Sequence, residues 1–200
     1  MSDELVFYGN PRSRAQMVQF MLEELGVPYR SVVLDFESGE NRKPDYLAVN
    51  PMGKVPAITH RGVTVTETGA IIAYLADAFP EKGLAPALDD PRRGTWLRWL
   101  FFGAGVFEPA LLDTMLKRPE APKMTAGYGS YPDALAALDT MLDPGPWILG
   151  DHFSAADIYI GAELAWASMF GAPGLSEHPK IAVYIERIKE RPAYQRSVGA

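Results

Sequence analysis

Seven residues, Asn50-Pro51-Met52-Gly53-Lys54-Val55-Pro56, restrict this chain more than any other stretch. Two prolines around a glycine are incompatible with helix, because each proline lacks an N–H donor and drives the residue before it toward extended backbone. The stretch is therefore a shaped loop. Val55-Pro56 leads into the apolar run Ala57-Ile58-Thr59. A tight proline turn at that point leaves the N–H and C=O of Val55 facing outward, a free edge to which a peptide backbone can pair. Beyond it, His60-Arg61-Gly62 separates Ala57–Thr59 from Val63–Val65, which is a hairpin signal. From Glu67 to Phe79, Ile71, Ile72, Leu75 and Ala76 recur at helical spacing.

The order Asn-Pro-x-Gly-Lys-Val-Pro, apolar hairpin, then Glu67-Thr68 at a helix start resembles the glutathione site of the glutathione transferase superfamily, and the likeness runs over essentially all 200 residues. The resemblance implies that Val55-Pro56 is cis and that Val55 hydrogen-bonds the cysteinyl backbone of glutathione in antiparallel fashion. It also implies that Glu67 and Thr68 hold the γ-glutamyl end. Read without it, X-Pro bonds in folded proteins are cis only about 5 to 6% of the time, and Thr68 is equally a helix cap. The loop and the Glu-Thr pair together make the signal specific.

The rest of the chain fits an α/β thioredoxin-like domain of order βαβ-α-ββ-α followed by an all-helical bundle domain. Leu5-Val6-Phe7-Tyr8 reads as a buried strand ended by Gly9-Asn10-Pro11. From Ser13 to Leu25, Met17, Val18, Met21, Leu22 and Leu25 form one apolar face, and Gly26 stands where a left-handed cap would end the helix. Tyr29–Leu34 is a second strand, parallel to the first through a right-handed crossover. Pro44–Ala48 reads as a short helical piece with proline at its first position. Pro80-Glu81-Lys82-Gly83-Leu84-Ala85-Pro86 lacks periodicity, which gives a first domain over residues 1–79, a linker over 80–90 and a helical domain over 91–200.

Within that second part a long helix from Pro91 to about Leu116 should kink at Pro109. Pro119–Lys123 breaks the pattern. Helices follow from Thr125 or Tyr131 to Leu142, from Ser154 to about Phe170, and from Pro179 to Arg191, with a last turn opened by Pro192. Ser154-Ala155-Ala156-Asp157 is a capping box whose role is folding.

Charge and composition then narrow the function. A net charge of -6 lacks the basic footprint that nucleic-acid binding requires. The start, Met1-Ser2-Asp3-Glu4, is acidic where a signal peptide is basic, and no run approaches the roughly 20 apolar residues that span a bilayer, so a cytoplasmic protein with no membrane partner is expected. The chain has no cysteine, which removes protein disulfides, thiolate metal sites and Cys-x-x-Cys chemistry. His60, His152 and His178 are too scattered in sequence for a metal site, and none is expected.

A transferase of this kind lowers the thiol pKa of its bound glutathione, since the thiolate is the nucleophile. Ser13, in Pro11-Arg12-Ser13-Arg14 at a helix start, resembles the serine of the serine-type enzymes and is the expected donor to sulfur. Its alternative role is helix N-cap. Tyr8 is the runner-up, because strand alternation turns it to the other face. Lys54 and Arg42 resemble positions that reach the glycyl carboxylate, while Glu67 suits the ammonium. The second substrate, a small hydrophobic electrophile, is expected to meet aromatics of the helical domain, supplied by Trp96, Trp99, Phe102, Phe107, Tyr128 and Tyr131, most of which read more readily as core. The resemblance also implies a homodimer, and Gly103-Ala104-Gly105 permits close approach of another helix. The reading is a glutathione transferase conjugating the thiolate to that electrophile. The alternatives are a glutathione-dependent disulfide reductase or peroxidase, an isomerase, and a non-catalytic interaction module on the same fold.

Overall fold

The computed structural model describes residues 3–119, 121–122 and 124–199. The two ends of the chain and part of the predicted break at Pro119–Lys123 lie outside the described residues. Contacts divide the chain into two compact units, one running to Lys82 and resumed at Pro192, the other Gly83–Arg191.

The first unit is a four-stranded sheet in the order β2-β1-β3-β4, with β1 at Val6–Gly9, β2 at Arg30–Val33, β3 at Ala57–His60 and β4 at Val63–Thr66. β1 and β2 are parallel, because helix α1 (Ala15–Leu25) carries the chain back between them, while β3 runs antiparallel to both β1 and β4. Met17, Val18, Met21, Leu22 and Leu25 of α1 are all buried, and Gly26 closes the helix at φ 61°, donating its N–H to the Leu22 carbonyl. The short helix α2 (Pro44–Leu47) follows a 3-10 turn, and α3 (Thr68–Ala78) buries Ile71, Ile72, Leu75 and Ala76. This is the thioredoxin-like order.

The second unit is helical. Its first long element is α4 (Arg92–Phe102), a π-helical turn at Gly103–Phe107, and α5 (Glu108–Met115). The irregularity thus directly precedes Glu108-Pro109, where a proline without an N–H cannot continue the regular bonding of the helical run. At Gly103 a Cβ would stand 2.7 Å from the Glu163 carboxylate and 2.9 Å from the Tyr159 ring, so the glycine lets the helix Ala155–Met169 lie close. Next come α6 (Tyr131–Met141), α7 (Ala155–Met169) and α8 (Pro179–Lys189). α7 is buried nearly all round, as expected for the central helix of a bundle. Its start is tied by Asp157, which accepts the Ser154 N–H at 2.9 Å, the Ser154 hydroxyl at 3.0 Å, the Ile148 N–H at 2.8 Å and the Tyr184 hydroxyl at 3.1 Å. Of the six aromatics expected as pocket candidates, Trp96, Trp99, Phe102, Phe107 and Tyr131 are buried core, and Tyr128 is half-buried with its hydroxyl on Asp113.

Two boundaries differ from the sequence reading. Residues 83–90, expected as linker, belong to the helical unit because the Ala155 N–H donates to the Leu84 carbonyl at 2.8 Å and Arg93 donates to the Pro86 carbonyl at 2.7 Å. The final helix α9 (Pro192–Val198), expected in the helical domain, packs instead on α1, with the Tyr194 ring edge-on to Phe20 at 5.4 Å and Arg196 paired to Glu23 at 2.7 Å. Periodicity identifies a helix but not the partner of its apolar face.

Candidate functional site

The sheet register brings the scattered motifs together. Ala57 pairs with Thr66 in the β3–β4 hairpin and with Tyr8 across β1. β1 ends at Gly9, β3 starts at Ala57 and β4 ends at Thr66, so the segments that carry Asn10, Val55 and Thr68 all leave from one end of the sheet. β2 is parallel to β1, so its outgoing loop leaves from the same edge of the sheet. The proline loop, the Glu-Thr helix start and the β1–α1 loop with Ser13 therefore share one end of the first unit.

There the proline loop is held by side chains on its carbonyls. The Asn41 amide donates to the Gly53 carbonyl at 2.9 Å, and Arg42 donates to the Met52 carbonyl at 3.1 Å. Two donors, the Tyr46 hydroxyl and the Asn50 amide, converge on the Lys54 carbonyl. Burial pushes the Tyr46 phenol up to about 12, so it remains a protonated donor at neutral pH. Gly53 is required here: its φ is 61°, and a Cβ would stand 2.7 Å from the Asn41 carbonyl oxygen. Val55-Pro56 is cis. Among the described residues neither the N–H nor the carbonyl of Val55 makes a hydrogen bond. The loop thus presents a rigid, free backbone edge.

That edge opens on a cleft of about 480 Å³ lined by Ser13, Phe36 and Asn41 as well as Arg12, Arg14, Arg42 and Lys54. No Asp or Glu lines it. Arg12 meets Glu37 at 3.3 Å, but both side chains are more than 70% exposed and such a pair holds little energy. The cleft suits an anion with a peptide backbone.

Ser13 sits just ahead of α1. Its Oγ accepts the Ala15 N–H at 3.2 Å, and its hydroxyl donates to the Asn10 carbonyl at 2.7 Å. The N-cap position itself falls to Arg14, which makes no side-chain cap bond, and Ser13 stands one residue before it with its oxygen on the cleft wall. Tyr8 is elsewhere. It lines a separate recess with Glu4, Val6, Arg30, Thr59 and Gly62, its ring 5.9 Å from that of Tyr46. Its strand neighbour Phe7 is buried against Tyr29.

At the α3 start, Glu67 is exposed and holds φ 66°, ψ 120°, a region that is strained for any residue but glycine, at a typical cost of about 1–3 kcal/mol. The amide N–H groups of Thr68, Gly69 and Ala70 have no acceptor among the described residues. An acid beside unpaired N–H donors and the Thr68 hydroxyl offers one counter-charge to an ammonium and several donors to a carboxylate. Sequence reasoning reached Ser13, Arg42, Lys54, Val55, Pro56, Glu67 and Thr68. It assigned nothing to Asn10 or to the Tyr46 hydroxyl, whose partners are loop carbonyls that sequence does not locate.

Known proteins resemble this chain over most of its length. The family model "Glutathione S-transferase, N-terminal domain" matches residues 4–77, and "Glutathione S-transferase, C-terminal domain" matches residues 121–187. The chain is 32% identical over 189 residues to glutathione S-transferase GstA of Escherichia coli O157:H7, covering 90% of each chain. It is 28% identical over 201 residues to disulfide-bond oxidoreductase YfcG of Escherichia coli K12, covering 93% of this chain and 90% of that one. A glutathione transferase homologue from Sulfitobacter, crystallised with bound glutathione, matches at a TM-score of 0.76 and 29% identity over 98% of this chain and 97% of its own.

Proposed function

The chain belongs to the glutathione S-transferase superfamily, and from that premise we propose that it binds glutathione along Val55, reaching from the cationic cleft to the α3 start outside that cleft's lining, and transfers the thiolate to a small hydrophobic electrophile. The observation that carries this reading is the free backbone edge of Val55 on a cleft that also holds Ser13. Glutathione is a short peptide with two carboxylates and one ammonium. Its cysteinyl backbone pairs with Val55, its glycyl carboxylate lies toward Lys54 and Arg42, and its γ-glutamyl end meets Glu67, Thr68 and the free N–H groups of α3. Arg42 keeps further N–H donors for that carboxylate beyond the one given to Met52. Ser13 donates its hydroxyl proton to the sulfur anion. A serine hydroxyl is too weak an acid to act as base at neutral pH, so its contribution is to favour the thiolate over the thiol.

Reduction of small disulfides by the bound glutathione's own sulfur is the second reading. It is favoured by the likeness to a disulfide-bond oxidoreductase and requires no protein cysteine, of which this chain has none. An isomerase or a non-catalytic module has no such specific support. The protein acts as a cytoplasmic homodimer, and no helix of the described residues is long and apolar enough to cross a membrane.

The test is retention on immobilised glutathione together with turnover of an aryl halide and of a small organic disulfide. Wild type should be retained and Glu67→Ala should not, with an unchanged circular dichroism spectrum. Equal retention of the two proteins reduces Glu67-Thr68 to a plain helix start. The ratio of the two turnover rates chooses between conjugation and reduction.

A further inference from the structure

Ser13 owes its place to a neighbour. Asn10 is 7% exposed and joins three pieces of chain. Its side-chain amide donates to the Leu34 carbonyl just after β2 at 2.9 Å, its Oδ1 accepts the Arg12 N–H at 2.9 Å, and its own carbonyl accepts the Ser13 hydroxyl at 2.7 Å. We propose that Asn10 is a positioning residue for the sulfur site: its side chain fixes the loop that carries Ser13, and its carbonyl accepts the Ser13 hydroxyl's hydrogen bond whenever no thiolate is present. This rests on the reading of Ser13 as donor to sulfur.

A serine hydroxyl carries a single proton to donate. In this structure it is directed at Asn10, so a bound thiolate must compete for it. A hydrogen bond to an ionised acceptor is roughly twice as strong as one to a neutral carbonyl, so the thiolate wins. The exchange is a rotation about one bond. Oγ itself is held by the Ala15 N–H at 3.2 Å, a contact independent of where the hydroxyl proton points. The donor is therefore preorganised, and no heavy atom need move when charge appears on sulfur.

Asn10 makes this possible through its two side-chain bonds. The amide anchors the β1–α1 loop to the strand beside it, and Oδ1 sets the direction of the chain at Arg12, the residue before Ser13. An apolar side chain of the same size fills the space but leaves the Leu34 carbonyl and the Arg12 N–H unpaired. The loop then settles wherever those groups find partners, and the Ser13 oxygen moves with it. The effect on catalysis passes through Ser13 alone.

A double-mutant cycle tests this, read from the ultraviolet thiolate absorbance of saturating bound glutathione across pH. The proteins are wild type, Asn10→Leu, Ser13→Ala and the double mutant. Asn10→Leu should raise the apparent thiol pKa by about half a unit to one unit, a partial loss of a charge-assisted bond. Ser13→Ala should raise it further, and the double mutant should match Ser13→Ala, since coupled residues do not add. A wild-type titration for Asn10→Leu beside a shifted Ser13→Ala overturns the role of Asn10 and leaves that of Ser13 standing. Shifts that add in the double mutant overturn it as well. A silent Ser13→Ala overturns the Ser13 reading, and the Asn10 proposal with it. Should Asn10→Leu fail to fold, Asn10→Ser replaces it with the same expected signs, because a serine hydroxyl is too short to span the Leu34 carbonyl and the Arg12 N–H.

Discussion

Single side chains set the chemistry of the cleft, and Ser13 and Tyr8 separate cleanly there. Ser13 lies on the wall of the cleft beside Val55, while Tyr8 lines another recess. Removing the Ser13 hydroxyl should cost a charge-assisted bond of about 1.5 to 3 kcal/mol, or roughly one to two units of thiol pKa. Ser13→Ala should thus turn over tenfold or more slowly at neutral pH, recover as pH rises toward the free thiol pKa, and keep glutathione affinity within a few-fold. Tyr8→Phe should behave as wild type. The opposite pattern in pH–rate profiles moves the role to Tyr8, and loss of activity in neither assigns thiolate stabilisation to the N–H groups and arginines at the α1 start. Asp157 has a different pH signature. Burial pushes its carboxyl up from 3.8 to about 6, against the opposing effect of the donors that surround it. A carboxyl whose folded pKa is raised binds more protons folded than unfolded between those two values, so its stabilisation is full below about pH 4 and is lost as pH rises through about 6. Asp157→Asn does not titrate. The stability of wild type relative to Asp157→Asn should therefore fall by up to about 3 kcal/mol between pH 4 and pH 7 in urea unfolding. A difference that stays constant, or grows with pH, means that the surrounding donors hold the carboxylate ionised throughout.

At the scale of elements, the start of α7 is the best-determined joint of the helical unit. Ser154 and Asp157 are wholly buried, and the carboxylate ties α7 to Ile148 before it and to Tyr184 on α8. Loss of an N-cap ordinarily costs about 0.5 to 2 kcal/mol, and here the buried Asp157 oxygen also loses a donor. Ser154→Ala should lower the melting temperature by several degrees while turnover at a permissive temperature stays unchanged. An unaltered melting curve contradicts the structural assignment, and lost turnover in a stable protein gives the box a catalytic link. This joint was readable in advance because a Ser-x-x-Asp cap is a local pattern. α9 was not. Its apolar residues Ala193 and Tyr194 announce a helix with one buried face, but α1 lies more than 160 residues away in sequence.

At the scale of the whole molecule, exposed apolar side chains bear on assembly. Leu97 is 38% exposed and Phe101 is 74% exposed, one helical turn apart on α4, and Met52 is 64% exposed at the tip of the proline loop. Apolar groups so placed fit a two-fold homodimer, in which both copies bury the same patches. Light scattering at micromolar concentration should return about twice the 22.0 kDa of one chain. A mass equal to one chain rejects the dimer.

Much of this protein is written in short-range pattern. Prolines around Gly53 exclude helix there, alternation and turn residues give the β3–β4 hairpin, and spacings of three and four give α1, α3 and α7, because each is a consequence of backbone sterics and one buried face. The candidate site residues from Val55 to Thr68 were legible for the same reason, since loop and helix start are contiguous stretches. Tertiary structure alone decided the rest. Strand pairing brought the end of β1, the start of β3 and the end of β4 to one end of the sheet, and with them the segments that carry Asn10, Val55 and Thr68. The Tyr46 hydroxyl and the Asn41, Asn50 and Asn10 amides found backbone carbonyls whose positions exist only once the sheet has formed. A sequence states which side chains can donate; only the folded chain states which carbonyl each one reaches.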